Sequence, residues 1–206
     1  MQNNKKLILE YGDLELDHLR RRDPALGRCI DEIGFLEREM SPDLFSALAN
    51  SIVSQQISTK AAVTVWGRLL EKTGSVTPEK ILNLRCEDIQ SCGMSMRKAG
   101  YIRGAAEKIS SGAIDLSVLY GMDDREVCRY LSRLDGIGEW TAEMLMIFSM
   151  GRKDVLSFKD FGIQKGLQRV YRKKDMTREM FEKYRRRYSP YASVASLYLW
   201  EMASRP

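Results

Sequence analysis

The sequence predicts an all-α protein, because apolar residues recur at helical spacing and the turns between helical segments are short. Ser-Pro and Thr-Pro pairs mark candidate helix starts, and no two segments read convincingly as a strand pair. A chain of 206 residues, 44% hydrophobic and 30% charged, is long enough for a sizeable core, so we do not expect disorder.

The predicted helices follow one another along the chain. LDHLRRRDPALGRCIDEIG reads as one or two helices, and SPDLFSALANSIVSQQIS starts at Ser-Pro and places Leu44, Leu48 and Ile52 on a buried face. Further helices are predicted in TKAAVTVWGRLLEKTG, where Trp66 is assigned to the core, and in TPEKILNL, SMRKAGYIRGAAEKISSG and DDREVCRYLSRL.

Basic residues are concentrated in the last quarter of the chain. Residues 151–206 hold 14 Lys/Arg and 6 Asp/Glu, whereas the whole chain holds 33 and 28. Such asymmetry suits a polyanionic partner, although a solvated helix face in KYRRRY explains it at least as well. Charge alone therefore supports nucleic acid only weakly.

Cysteine usage indicates reduced thiols. Cys29, Cys86, Cys92 and Cys128 form no CxxC pair and are joined by a single histidine, His18, so the usual zinc ligands cannot be assembled. The N-terminal sequence MQNNKKLILEYGDLELD has the pattern of neither a signal peptide nor a membrane span. We expect a reducing, cytoplasmic location, nucleoid-associated if the chain is prokaryotic, and no membrane partner.

Two glycines, Gly136 and Gly138, interrupt otherwise helical sequence in LSRLDGIGEWTAEMLMIFSM. If one helix ends by Leu134 and the next starts at Glu139 or Trp140, the first-turn N–H groups of the second helix have no intrahelical partner. With the helix dipole they form a site for a phosphate, which glycines allow to approach closely. An ordinary helical turn is the competing interpretation.

This segment, extended to LSRLDGIGEWTAEMLMIFSMGRKDVLSFKDFGIQKGL, resembles the hairpin and aspartate of the helix-hairpin-helix DNA glycosylase superfamily, and within it the 3-methyladenine DNA glycosylase II type. LFSALANSIVSQQISTKAA, CGMSMRKAGYIRGAA and YSPYASVASLYLW resemble further segments of that family. The resemblance implies a two-lobed helical HhH-GPD fold with its active site in the cleft between the lobes. One lobe spans about residues 44–155, with the hairpin motif at 123–150, and the other about 1–43 and 156–206.

The resemblance also assigns the site. Asp160 is the catalytic carboxylate, although an aspartate before a helix is also an ordinary N-cap. Trp140 and Trp200, with Phe161, match aromatic residues of the base pocket, where core packing is the alternative. Lys159 departs from the family's pattern, in which Asp or Pro-Asp often precedes the catalytic aspartate.

DNA contacts are assigned in the same way. Ile57 matches the residue that wedges into the gap left by a flipped base, with Gln55 and Gln56 beside it. Gly136, Ile137 and Gly138 form the phosphate-binding hairpin, and relatives hold a sodium or potassium ion through backbone carbonyls at the positions of Leu134 and Ile137. No cysteine follows Cys128, so no iron–sulfur cluster is expected.

The resemblance implies a DNA glycosylase of base excision repair that acts as a monomer on double-stranded DNA with damaged bases. Relatives that also cut the strand carry a lysine two residues after the second hairpin glycine. Trp140 stands at that position, which favours a monofunctional enzyme for alkylated purines such as 3-methyladenine and 7-methylguanine. A bifunctional glycosylase/lyase recruiting Lys159 and a non-catalytic DNA-binding module remain the alternatives.

Overall fold

The computed structural model describes residues 7–205, and this part of the chain is helical without a β-sheet. An isolated bridge pairs Ile8 with Glu39. The predicted all-α class is confirmed. The helices of the described part are α1 (Asp13–Arg22), α2 (Pro24–Ile33), α3 (Leu44–Ser54), α4 (Thr59–Thr73), α5 (Pro78–Leu82), α6 (Cys86–Gln90), α7 (Met96–Ser110), a 3₁₀ turn (Ser117–Gly121), α8 (Asp124–Leu131), α9 (Glu139–Phe148), α10 (Phe161–Val170), α11 (Arg178–Tyr188) and α12 (Ala192–Ser204).

Helix starts follow the capping chemistry of the sequence. Ser58, Thr77 and Ser95 each accept a hydrogen bond from a backbone N–H of the first turn of α4, α5 and α7. The Ser-Pro pair expected to open α3 lies just before that helix, because Asp43 is the residue that accepts the Ser46 N–H. Short polar side chains therefore set most of the boundaries.

The chain divides into two compact units. Ser41–Leu145 form the central unit, and the described residues of Met1–Met40 and Met146–Pro206 form the terminal unit. The boundary falls within α9. The expected lobes at about 44–155 and at 1–43 with 156–206 stay a prediction, as does the cleft between them. The expected second lobe includes residues 1–6 and 206, which lie outside the described residues.

In the terminal unit, α12 is buried nearly all round and packs closely on α10. A Cβ added at Gly166 of α10 would lie 2.2 Å from the carbonyl oxygen of Leu199, so only glycine lets the two helix backbones approach this closely. The surrounding core includes Leu167, Phe181, Tyr188 and Tyr198. This contact holds the middle of α10 against the middle of α12.

The segment between α9 and α10 is held to the start of α12. The Ser193 hydroxyl accepts the Val155 N–H at 2.9 Å and donates to the Arg152 carbonyl at 2.6 Å. Asp154 accepts the Ser189 hydroxyl at 2.6 Å. Since the segment has no regular structure of its own, these side chains satisfy its polar groups and fix its course toward Asp160.

The central unit packs α3, α4 and α7 around a second core. Leu48 and Ile52 of α3 are buried, as the helical pattern predicts, whereas Leu44, expected on the same face, is only partly buried and its neighbour Phe45 is buried. Leu69 of α4 and Ile102 of α7 complete this core. Trp66, assigned to the core from sequence, is partly buried. This unit carries the hairpin between α8 and α9 and the turn between α3 and α4.

Two further observations concern membrane-spanning helices and the cysteines. No helix within residues 7–205 combines the length and apolar character that a membrane crossing needs. Cys29, Cys86, Cys92 and Cys128 are free thiols, and burial raises the pKa of Cys29 and of Cys92.

Candidate active site and nucleic-acid interface

Asp160 lies at the N-cap of α10 and is 7% exposed. Its Oδ1 accepts the Ile163 N–H at 2.8 Å and the Trp200 indole N–H at 2.9 Å. The cap predicted as the alternative reading is therefore present, and it coexists with an indole donor from a distant part of the sequence. Fixed donors on one oxygen orient the carboxyl group and restrict its rotation.

Trp200 is positioned by both aromatic packing and a glycine. Its ring lies 5.5 Å from that of Phe148, tilted by 31°. A Cβ added at Gly162 would lie 2.7 Å from the Trp200 ring and 3.2 Å from Oδ1 of Asp160. Glycine at 162 thus provides the space in which the indole reaches the carboxylate.

The residues flanking Asp160 are exposed. Phe161, the first residue of α10, is 79% exposed, and Lys159 on the other side is exposed as well. An apolar ring of this exposure contributes little to the core and is available to stack on a ligand. Its role in a base pocket stays a prediction.

Trp140 is the second residue of α9, in the central unit, and is 37% exposed. Part of its indole is therefore accessible to a ligand, and core packing remains the alternative. The proposed pocket role of Trp140 stays a prediction.

The hairpin between α8 and α9 is a tight turn built on Gly136. Leu134 N–H donates to Leu131 at 2.9 Å, and Ile137 N–H donates to Leu134 at 3.1 Å. Gly136 has a φ of +81°, and a Cβ there would lie 2.4 Å from the Tyr101 ring. By contrast, nothing lies within 4 Å of a Cβ added at Gly138. Gly136 is required by the protein itself, whereas Gly138 leaves space for a ligand.

The turn after α3 contacts this hairpin through a side chain. Gln55 Nε2 donates to the Gly136 carbonyl at 2.8 Å. Gln56 follows with a φ of +56°, in the left-handed region that costs a non-glycine residue about 1 kcal/mol or more. Ile57 comes next and is 40% exposed. An exposed isoleucine on a strained turn is consistent with the predicted wedge, and these three roles stay predictions.

Lys98 of α7 also contacts the turn after α3. The sequence did not predict this contact. Its ammonium donates to the carbonyls of Val53 at 2.8 Å and Gln55 at 2.5 Å, which satisfies two groups at the end of α3. Burial, with the nearby Arg97 guanidinium, lowers the pKa of Lys98 below its ordinary value. A lysine 43 residues away in sequence gives no local signal of this contact.

Among residues 7–205, no group of three or more His, Cys, Asp or Glu side chains could hold a metal ion. For a monovalent cation at the hairpin, carbonyl oxygens are suitable donors. The Leu134 carbonyl already accepts one hydrogen bond, so its second lone pair is what a cation would use.

The chain is similar in sequence to a known protein family and to a characterised relative. The family model described as HhH-GPD superfamily base excision DNA repair protein matches residues 49–190. DNA-3-methyladenine glycosylase 1 of Schizosaccharomyces pombe is 32% identical, over 98% of this chain and 91% of the relative.

Two solved structures share the fold. The DNA-3-methyladenine glycosidase of Bacillus halodurans has a TM-score of 0.82 and 36% identity, covering 92% of this chain and 89% of that one. The S. pombe 3-methyladenine DNA glycosylase in complex with abasic DNA has a TM-score of 0.82 and 30% identity, covering 91% and 95%. The similarity extends over nearly the whole described chain.

Proposed function

The chain belongs to the HhH-GPD superfamily of base excision DNA repair proteins, and from that membership we propose that it is a monofunctional DNA glycosylase for alkylated purines. Relatives and solved structures at 30% identity or more bear the name of 3-methyladenine glycosylases. The proposed reaction is hydrolysis of the bond between a damaged base and its deoxyribose. The finer assignment to the glycosylase II type stays a prediction.

The observation that carries this proposal is the Asp160 carboxyl group bonded to the Trp200 indole. A module that only binds DNA has no need of a carboxylate held beside an indole at 7% exposure. A carboxylate placed near phosphates would repel them, so a binding role alone would select against it. Capping α10 accounts for an aspartate at this position, and catalysis accounts for its being held against an indole.

Asp160 acts on the sugar in this mechanism. Breaking the N-glycosidic bond builds positive charge on the deoxyribose, which a carboxylate stabilises as it develops. The carboxylate also accepts a proton from the water that attacks the anomeric carbon. Its bonds to Ile163 N–H and Trp200 fix Oδ1, so the group needs little reorganisation as the charge appears.

The leaving base requires less help. A purine alkylated at N3 or N7 is already cationic, so it departs without a strong general acid. Aromatic faces hold such an electron-poor base by stacking and cation–π attraction, at about 0.5–2 kcal/mol per contact. Trp200 and Phe161 supply these faces beside Asp160, with Trp140 as a further proposed contact.

The DNA is held by the hairpin and opened by the turn. Gly138 admits a phosphate oxygen to the first-turn N–H groups of α9, a contact that binds the backbone without reading sequence. Ile57 fills the gap left by the extruded nucleotide, with Gln55 and Gln56 beside it. A sodium or potassium ion bound by the carbonyls of Leu134 and Ile137 would rigidify the turn.

Damaged double-stranded DNA is thus the proposed partner of a monomeric enzyme. A cytoplasmic location, nucleoid-associated if the chain is prokaryotic, and the absence of an iron–sulfur cluster belong to the same proposal.

Base release distinguishes the alternatives. Duplexes containing 3-methyladenine, 7-methylguanine, hypoxanthine or 1,N6-ethenoadenine should yield free base, with strand breaks appearing only after alkali. Borohydride should trap no protein–DNA adduct, because Trp140 stands where lyases carry their lysine. A trapped adduct that disappears in Lys159→Met would establish the bifunctional alternative, and binding without release from any lesion would establish the non-catalytic one.

A further inference from the structure

One helix of the central unit, α7, contacts both the turn that carries Ile57 and the hairpin around Gly136. Lys98 of α7 donates to the Gln55 carbonyl, and Tyr101 follows one turn later on the same side of the helix. The Tyr101 ring lies so close to the hairpin that a Cβ added at Gly136 would be 2.4 Å from it. Gln55 Nε2 in turn donates to the Gly136 carbonyl. The helix, the turn and the hairpin therefore form one closed set of contacts.

The Lys98 ammonium is bonded to backbone carbonyls alone. It donates to Val53 at 2.8 Å and to Gln55 at 2.5 Å, at the end of α3, where the helix dipole favours a cation. No carboxylate of residues 7–205 pairs with it, and burial, with the Arg97 guanidinium, lowers its pKa. A partly buried ammonium without a carboxylate partner gives up hydration, which is unfavourable. Helix capping alone does not account for this arrangement, because glycine at position 56 would end α3 at lower cost.

The bond from Lys98 controls the peptide group that precedes Gln56. The Gln55 carbonyl lies in the peptide plane whose rotation sets the φ of Gln56, which is +56°. Glutamine adopts this left-handed conformation at a cost, and such strain persists only where the surrounding structure holds it. Lys98 holds the main chain of Gln55, and Gly136 holds its side chain. Ile57 follows directly and is 40% exposed.

We propose that Lys98 is a positioning residue for base extrusion, because its bond to the Gln55 carbonyl presets the turn that exposes Ile57 before DNA binds. This inference rests on the proposed function, since it takes Ile57 as the residue that fills the gap left by the extruded nucleotide. A wedge that is already in place does not have to be ordered while the duplex opens. The strain at Gln56 is therefore met when the protein folds and does not weaken binding.

Two substrates that differ in their need for a wedge give the first measurement. In one duplex 7-methylguanine is paired with cytosine, and in the other it is the unpaired nucleotide of a one-nucleotide bulge. Extrusion from the bulge breaks no base pair and leaves no gap opposite a partner base. Single-turnover release from the paired lesion should fall about 10-fold or more in Lys98→Met, and release from the bulge should fall much less. Both rates come from the same preparation, so a loss of folded protein cancels in their ratio.

Arg103→Met is the matched control on the same helix. Arg103 also donates from α7 to two carbonyls at a helix end, those of Leu82 and Leu84 at the end of α5. Its loss should lower stability without changing the ratio of paired to bulged release. Lys98→Arg keeps a cation with donors and should restore part of the wild-type ratio. A wild-type ratio in Lys98→Met, or an equal change in Arg103→Met, would overturn the proposal.

A double variant tests whether Lys98 acts through the wedge. Ile57→Ala should lower the ratio of paired to bulged release as Lys98→Met does. Once Ile57 is removed, the position of the turn has no further effect on extrusion, so Lys98→Met/Ile57→Ala should have the ratio of Ile57→Ala alone. Losses that multiply in the double variant would show that the two residues act independently and would overturn the proposal.

A binding measurement separates this inference from the proposed reaction. The duplex carries a reduced abasic site with 2-aminopurine beside it, whose fluorescence rises when an inserted side chain separates it from its stacking neighbour. Wild type and Arg103→Met should raise the fluorescence at saturating protein, and Lys98→Met should raise it several-fold less. That difference without base release from any lesion would overturn the enzyme alone. Base release with a wild-type ratio and wild-type fluorescence in Lys98→Met would overturn the positioning role alone.

Discussion

The Trp200 indole donates a hydrogen bond of 2.9 Å to Oδ1 of Asp160, the oxygen that also caps α10 through Ile163. One bond therefore joins the end of α12 to the start of α10. The close approach of these helices at Gly166 makes the bond possible. The geometry of the carboxylate is thus a consequence of helix packing, and it can be altered without removing the carboxylate.

Replacing Trp200 with Phe should slow base release while Asp160 stays in place. Phenylalanine retains an aromatic face against Phe148 but lacks the N–H donor. A hydrogen bond to a charged group contributes about 1.5–3 kcal/mol, so we expect the single-turnover rate to fall about 10-fold or more. Phe148→Leu removes only the ring contact and serves as the control. Equal rates for Trp200→Phe and wild type would show that the bond has no catalytic role.

Gly166→Ala should destabilise the protein through the contact between α10 and α12. The added methyl group would lie 2.2 Å from the Leu199 carbonyl oxygen, so the helices must separate. We expect the free energy of unfolding in urea to fall by about 2 kcal/mol or more. Gly67→Ala, within α4 and with nothing inside 4 Å of the added atom, should instead stabilise by about 0.5–1 kcal/mol. Opposite results would contradict the packing described.

Alanine substitutions at the two hairpin glycines should have different effects: one should lower stability and the other should weaken DNA binding. In Gly136→Ala the new side chain is strained by the positive φ and clashes with the Tyr101 ring. The free energy of unfolding of this variant should therefore fall by at least about 1 kcal/mol. Gly138→Ala meets no protein atom within 4 Å and should leave thermal stability nearly unchanged. It should nevertheless weaken binding to abasic duplex, because the methyl group occupies the phosphate's position. Unchanged affinity in Gly138→Ala would place the phosphate elsewhere.

The ion pair between Glu15 and Lys153 should make stability depend on pH. Burial raises the pKa of Glu15, but the Lys153 ammonium at 2.7 Å and the Gly12 N–H outweigh it and leave the pKa below its ordinary value of 4.5. The pair's stabilisation is therefore present above that value and lost as the pH falls through the lowered pKa.

Urea unfolding at a series of pH values measures this effect. The stability difference between wild type and Glu15→Gln should be largest near neutral pH and should shrink on acidification. Lys153→Met should show the same trend from the other partner. A difference that is constant with pH would contradict a stabilising role for the ionised Glu15 carboxylate.

Local features of the site could be predicted from the sequence. Neighbouring residues are enough to recognise three of them: Asp160 before a helix, the glycines at 136 and 138, and an isoleucine after α3. The structure places all of these residues at helix ends or turns. Capping and left-handed turns depend on neighbouring residues, which is why these features are visible in the sequence.

Contacts over long separations could not be predicted. Lys98 reaches the end of α3, and Tyr101 covers Gly136, through packing that no local pattern encodes. The spacing of Gly162 and Gly166 does indicate a close helix partner, but α12 is apolar on nearly every face and gives no register. Which indole meets Asp160 is therefore known only from the fold.

Single-turnover release of 7-methylguanine by Asp160→Asn is the most direct test of the proposed function. Asparagine caps helices as well as aspartate does, so the variant should fold, yet it cannot stabilise charge on the sugar. Asp43→Asn makes the same change at the cap of α3 and is the matched control. We predict a loss of about 100-fold or more for Asp160→Asn and wild-type rates for the control. Release by Asp160→Asn at the wild-type rate would contradict the assignment of Asp160 as the catalytic carboxylate.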